Sequence, residues 1–567
     1  MNLLEEKWLP VRRRTGELDW VAPHQIAEPD IVAFAAHRAD FNGALAQMII
    51  GLLQTTAPIA QESEWENWLD TPPTADALKG WFAPYHKAFV LDGDGARFMQ
   101  DFSLDSGDKC DIEGLLIDAP GKSTSDKNTD HFVKRDTVNA LCPDCAALAL
   151  FTLQTNAPAG GAGNRTSLRG GGPLTTLVIA YPSRSLWHDL WMNVKPQAEF
   201  LRQGGAAEKT APHFTFPWLA DINKIQTLTG ETQPLQVHPH HVFWAMPRRI
   251  RLDFSEALFG QCDICKRTER QLVRSYKARP KGLNYEGPWR HPLSPYYETK
   301  EGWLPVHPNP GGFNYKNWPA WVLGVTQAKK TIQAASVVKY VLNEKRQKAG
   351  QLRLWVFGYD MDNMKPRCWY ETTFPLYALA NAAAASQKAV SGLVGNLIEA
   401  AEQAAYYLRQ AIKQAWFGDS DLRGDLGFVD KEFLDRTEPA FYLRLKALID
   451  QAQSNDGVDL DDAGFVIRLG ESWLKVLRSN ALHLFDQDVV GAASIGQQDP
   501  QRIAEAYNTL KKNLDGKAIR TILHLPVAEK ADKVGKLAKA MKAPTAKLVR
   551  TSVLPHLQEQ HLQREKK

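Results

Sequence analysis

Four of the six cysteines fall in two Cys-x-x-Cys pairs, CPDC at Cys142 and Cys145 and CDIC at Cys262 and Cys265; Cys110 and Cys368 stand alone. A thiolate pair at this spacing is half of a tetrahedral metal site, and two pairs can give four sulfurs to one structural zinc ion even when far apart in sequence. Six cysteines in 567 residues are too sparse for a disulfide framework, so paired spacing favours metal over disulfide. The plain alternative is reduced or redox-active thiols, although no thioredoxin-like βαβ pattern surrounds CPDC. A site filled by four sulfurs has no open position, which disfavours hydrolytic zinc. The histidines of VHPHHVFW (His238, His240, His241) are expected at a strand edge rather than on a metal.

The first pair runs into an apolar stretch, Ala146–Leu153, and then into a loop dense in glycine, with Gly160, Gly161, Gly163, Asn164, Arg165 and Arg169. Glycine lets backbone approach a ligand closely. A flexible linker is the competing reading, but the strand-like LTTLVIA (Leu174–Ala180) follows at once. Basic runs flank the second pair: Arg248, Arg249 and Arg251 before it, and KRTERQLVRSYKARPK (Lys266–Lys281) after it. Either run alone reads as solvated surface; next to a cysteine pair they become candidates for phosphate contacts. Gly121-Lys122-Ser123 lacks the glycine that a P-loop needs five residues earlier, where Leu116 stands. In GYDMDNMKPRCWY (Gly358–Tyr370), Asp360 and Asp362 have no Glu or His to complete a catalytic set. The same turn, with Asn363, Met364 and Lys365, could equally be a wedge for a base stack.

The elements that must position these groups divide near residue 373. Residues 1–373 mix short strands (Trp8–Val11, Leu174–Ala180, Leu352–Phe357) with helices, of which Ala33–Thr56 is the clearest, and a polar loop over Gly121–Asp136. Helical periodicity then recurs over Ala378–Phe417, Lys431–Ser454, Asp461–Leu484 and Asp499–Leu525. Four long helices with short connections predict an antiparallel bundle over 374–525, and hence an α+β chain. From Pro526 to Lys567 eight Lys and two Arg meet four acids, making a basic tail of net +6 on a chain of +4. A frayed solvated tail is the bland reading, a sequence-blind phosphate contact the sharper one. With no secretory h-region and no apolar run of membrane length, the chain is expected to be soluble and cytoplasmic, with no membrane partner.

Four blocks together carry a family resemblance: MNLLEEKWLPVRRRTGE at the start, LIDAPG (Leu116–Gly121), CPDC-x13-AGGAGNRTSLRGGGPLTT, and GYDMDNMKPRCWYE. The chain resembles CasA, the large-subunit family of the type I-E CRISPR Cascade, over its whole length. The resemblance implies a non-catalytic subunit with a mixed N-terminal domain and a four-helix bundle. Its partners would be the CRISPR guide RNA, double-stranded target DNA, the other Cascade subunits and a recruited helicase-nuclease. In such effectors guide pairing reads the sequence while protein checks a short protospacer-adjacent motif (PAM).

By that resemblance the glycine loop, here Gly160, Gly161 and Gly163 with Asn164 and Arg165, reads the PAM from the minor groove; Ala159 and Ala162 depart from an all-glycine version. A lysine finger falls within Tyr276–Lys281, with Lys277, Arg279 and Lys281 as candidates. A wedge matches Asp362, Asn363 and Met364, without the glutamine often found there, and Leu116, Ile117 and Asp118 match a grip on the guide-RNA handle. A structural zinc protein scaffolding RNA and a zinc-dependent hydrolase are the alternatives.

Overall fold

Helix α1 (Ala39–Thr56) is buried on every face in the computed structural model, and the N-terminal region is built around it. The structure describes residues 1–104, 106–128, 134–226, 230–256, 258–327, 330–343, 351–362, 365–377, 384–417, 425–453, 460, 462–491 and 499–527. Almost the whole basic tail, and Asn363 and Met364, therefore lie outside the described residues.

A mainly apolar helix at the centre of a mixed domain must satisfy the few polar groups it carries. Gln54 exchanges hydrogen bonds with the Lys195 backbone at 2.8 and 2.9 Å, and Thr55 accepts the Trp244 indole N–H at 3.1 Å. The helix is shorter than its periodicity suggests. Ile31–Phe34 instead forms a strand, β3, because the β-branched Ile31 and Val32 favour pairing with β1 (Leu9–Arg13), which also pairs with β2 (Leu18–Val21).

Strands β4 (Asp108–Asp111), β5 (Thr175–Tyr181), β6 (Arg249–Leu252), β7 (Ser275–Arg279), β8 (Gln351–Asp362) and β9 (Lys365–Leu376) make two further sheets. In one, β8 lies between β5 and β9, antiparallel to both, and its apolar run is largely covered, as expected of Leu352–Phe357. In the other, β7 lies between β4 and β6. Residues 296–333 add a four-stranded antiparallel sheet. Helix α2 (Pro143–Asn156) packs beside α1. Cys142 is its N-cap and Pro143 its first residue, where the missing N–H costs nothing.

Tryptophan holds many of the short turns in place. Eight tryptophans are essentially inaccessible, and each donates its indole N–H, seven of them to a backbone carbonyl. Large apolar area and a satisfied donor in one side chain fasten loops that regular ladders do not reach. His240 and His241 are buried in a 3-10 turn, Pro239–Phe243, and not at a strand edge. His241 bonds the Phe214 carbonyl and the Tyr285 hydroxyl, both at 3.0 Å, so it is a satisfied core residue.

The C-terminal region is helical: α3 (Ala384–Phe417), α4 (Gly427–Gln453), α5 (Ala463–His483) and α6 (Pro500–Leu514). Helix α3 touches the other three, α4 touches α5, and α5 touches α6. Asp462 and Asp499 cap α5 and α6 through backbone N–H groups of the first turn. The periodic stretch Asp499–Leu525 is two helices rather than one, because Asp515-Gly516 breaks it before Lys517–Ile522. Tyr315 fastens this region to the rest, with its ring stacked 4.4 Å from Phe441 and its hydroxyl 3.0 Å from Thr437.

A single ion pair anchors the β6 edge: Arg249 and Asp101, 2.5 Å apart and both buried. Removing one partner leaves the other as an uncompensated buried charge. Asp101→Ala is expected to lose about 3–5 kcal/mol in urea denaturation, with most of it recovered in Asp101→Ala/Arg249→Met.

Candidate metal centre and nucleic-acid interface

The four paired cysteines converge. The Sγ atoms of Cys142, Cys145, Cys262 and Cys265 all lie within 4.8 Å of one another, and the first three residues are buried. Cys142 and Cys145 come from the N-terminal turn of α2. The other two come from a turn closed by the Lys266 N–H on the Cys262 carbonyl and the Cys262 N–H on the Arg267 carbonyl, each at 3.0 Å. Backbone pairing of Leu141 with Val273, at 2.8 and 3.0 Å, holds the halves in register.

A tetrahedral set with zinc–sulfur bonds of about 2.3 Å puts its sulfurs about 3.8 Å apart. Cys142 and Cys265 are 3.7 Å apart, so the cluster can hold a metal ion of that kind. The contacts between the sulfurs split the four thiols, pushing Cys262 and Cys265 down and Cys142 and Cys145 up, so the metal-free cluster shares protons among its sulfurs.

Asp144, inside CPDC, was not singled out by sequence. Its buried carboxylate accepts from Arg267 at 2.5 Å and Arg270 at 2.8 Å, two residues of the basic run after CDIC. Burial, the largest influence, raises its pKa against the pull of both arginines. Arg267 also lies 4.7 Å over the Trp20 ring. These two arginines therefore belong to the scaffold and are not free for phosphate.

The glycine loop is pinned, which removes the linker reading. At its base the Ser167 N–H bonds the Ala157 carbonyl at 2.9 Å, and the Arg248 guanidinium bonds the Pro158 carbonyl at 2.5 Å. At its tip the Lys281 N–H donates to the Gly163 carbonyl at 3.0 Å. Gly163 has φ +80, and a Cβ there would sit 3.4 Å from Lys281 Cγ. Gly161 has nothing within 4 Å of a Cβ. Gly161, Gly163 and Asn164 are exposed; Gly160 and Arg165 are half-buried. Arg169 is different in kind, being buried and bonded to Thr175 and Ser294.

Lys277, Arg279 and Lys281 are exposed on and just after β7. Arg279 donates to Ser106 at 2.5 Å. Register places Lys109 of β4 and Arg251 of β6 directly opposite Lys277, so three cations make a row across three strands. Like charges opposite each other in a sheet repel, so this row is a concentration of positive charge. Lys109 could not be found from sequence, because only long-range pairing brings it to the row.

The hairpin end of β8–β9 is set by Asp362 opposite Lys365, with Asn363 and Met364 outside the described residues. Asp360 is buried and takes both nitrogens of the Arg367 fork, at 2.7 and 3.1 Å; Arg367 also reaches Asp362 at 3.5 Å. The aspartates thus serve an ion pair across the hairpin. Of the residues matched to the RNA-handle grip, Leu116 and Ile117 are buried and Asp118 is exposed. Asp118 pairs with Arg38 at 2.9 Å, and Arg38 also grips Asp40, which accepts the Tyr359 hydroxyl of β8.

The family described as CRISPR-associated protein Cse1 matches residues 2–484. The fold is similar to that of CasA from Thermus thermophilus (TM-score 0.64, 14% identity, covering 91% of this chain and 99% of that one). Cse1 from Acidimicrobium ferrooxidans is similar too (TM-score 0.62, 17% identity, 92% and 98% covered). So is a chain of a CRISPR RNA-guided surveillance complex (TM-score 0.61, 14% identity, 91% and 99% covered). With a family match over most of its length and the same fold throughout, the chain belongs to the Cse1 family, also called CasA.

Proposed function

We propose that the protein is a non-catalytic DNA-recognition subunit of an RNA-guided CRISPR surveillance complex of the Cascade type. In this reading it tests the PAM, helps to open the target duplex for the guide RNA, and supports a recruited helicase-nuclease in the cytoplasm. The observation that carries it is the hydrogen bond from Lys281 to Gly163, which joins an exposed glycine loop to the strand bearing Lys277 and Arg279. A glycine-rich loop tip and a cationic row on one support suit a groove and its phosphates respectively. Residues 1–373 would carry these readers, 374–525 would form a four-helix bundle, and 526–567 would be a basic tail. Asp362, Asn363 and Met364 are proposed as the wedge, and the loop holding Leu116, Ile117 and Asp118 as the guide-RNA contact.

Zinc is the metal proposed for the cysteine cluster. When bound it supplies cross-linking rather than chemistry, since four sulfurs leave no position for water or substrate. The residues themselves do the rest: Asp144 orients the basic turn, and Leu141 and Val273 align the halves.

Four outcomes are expected. In gel shifts of the assembled complex over randomised PAM duplexes, Gly161→Val should abolish discrimination between PAM and non-PAM DNA; a variant as selective as wild type refutes the loop assignment. The same variant should stay within about 0.5 kcal/mol of wild-type stability, because its side chain meets open space. Gly163→Val, at a positive φ against Lys281, should cost about 1–3 kcal/mol, read by denaturant titration. Finally, metal analysis of the purified protein should find stoichiometric zinc that Cys142→Ser/Cys262→Ser loses along with thermal stability. Wild-type protein purified without chelator and free of metal would end the zinc assignment.

A further inference from the structure

Arg169 closes the glycine-rich loop with a guanidinium that has no counter-charge among the described residues. It is 3% exposed, and its donors go to Thr175 Oγ1 at 3.0 Å, Ser294 Oγ at 2.9 Å and Gln47 Oε1. All three acceptors are neutral, and among the described residues no carboxylate pairs with it. Burial brings its pKa down to about 10, which still leaves it charged at neutral pH. The contrast with Arg249 is plain: similarly buried, that residue has Asp101 at 2.5 Å. Buried charges are ordinarily paired.

A cavity of about 20 Å³ adjoins this group, lined by Gln47, Thr155, Ser167, Arg169 and His291 among others, none of them acidic. That is room for one small particle. His291 is wholly buried, and its Nδ1 accepts the Leu293 N–H at 3.2 Å. The neutral ring therefore carries its proton on Nε2 and is a donor there. Desolvation, the larger influence, and the field of Arg169 push both His291 and His307 down, so neither competes as a second cation. A guanidinium, an imidazole N–H and the Thr155 hydroxyl, with no anionic side chain, form a donor set for an anion; the Ser167 hydroxyl is already given to the Gly170 carbonyl. The space suits a single monatomic anion.

We propose that this cavity binds chloride as the counter-ion of Arg169. The ion would neutralise the guanidinium that ties the end of the glycine-rich loop to α1 through Gln47, independently of any role in DNA reading.

Bromide, which scatters anomalously, is the probe: crystals of the full chain soaked in sodium bromide should show an anomalous peak in the cavity within hydrogen-bonding distance of Arg169. Thermal melts at matched ionic strength should rise saturably with chloride over gluconate in wild type, and the difference should vanish in Arg169→Gln. A cavity that holds only water in bromide-soaked crystals overturns the proposal, as does a chloride response kept in full by Arg169→Gln. Should that variant fail to fold, the wild-type diffraction experiment decides alone.

Discussion

Two segments more than a hundred residues apart are brought together by one cluster of four sulfurs, and the placement of the exposed loops depends on that junction. Closing so long a loop is entropically expensive, and no single contact is asked to hold it. The Leu141–Val273 backbone pair sets the register, the cysteines fix the separation, and Asp144 fixes the orientation through Arg267 and Arg270. Strand β7 leaves the junction directly after Val273 and Arg274, and α2 leaves it on the other side towards the glycine loop. The two routes meet again where Lys281 bonds Gly163, so the exposed tip is reached by two paths from one rigid corner.

Charge is distributed in two regimes. Inside, guanidinium groups are committed to structure: Arg249 to Asp101, Arg267 and Arg270 to Asp144, and Arg38 to Asp40 and Asp118. Outside, Lys109, Lys277 and Arg251 stand side by side across three strands. Net charge conceals this arrangement, because a chain of +4 averages a basic tail with a nearly neutral body.

How much was legible in the sequence follows from the range of the forces involved. Cysteine spacing marked both halves of the four-sulfur cluster, because two thiols on one turn are a local pattern. Apolar runs marked β5 and β8, and glycine content marked the loop. The histidines went astray because a Pro-rich stretch can be a 3-10 turn as easily as a strand edge, and only the packing of His241 on Tyr285 decides. The last long helix was over-extended across Asp515-Gly516, a break of two residues inside an otherwise periodic stretch. Lys109 and Asp144 gave no signal: one needs the β4–β7 pairing, the other the closed junction, and neither is written in local spacing.

The bond between Lys281 and Gly163 uses main-chain atoms on both sides. Side chains at Lys277 and Arg279 can therefore be exchanged without loosening the strand's hold on the loop, whereas Lys281, at φ +64, resists β-branched replacement. What is presented to a partner and what keeps the presenter in position are thus under separate control. Substitutions along this strand could therefore change the charge it exposes while the shape of the loop beside it is inherited intact.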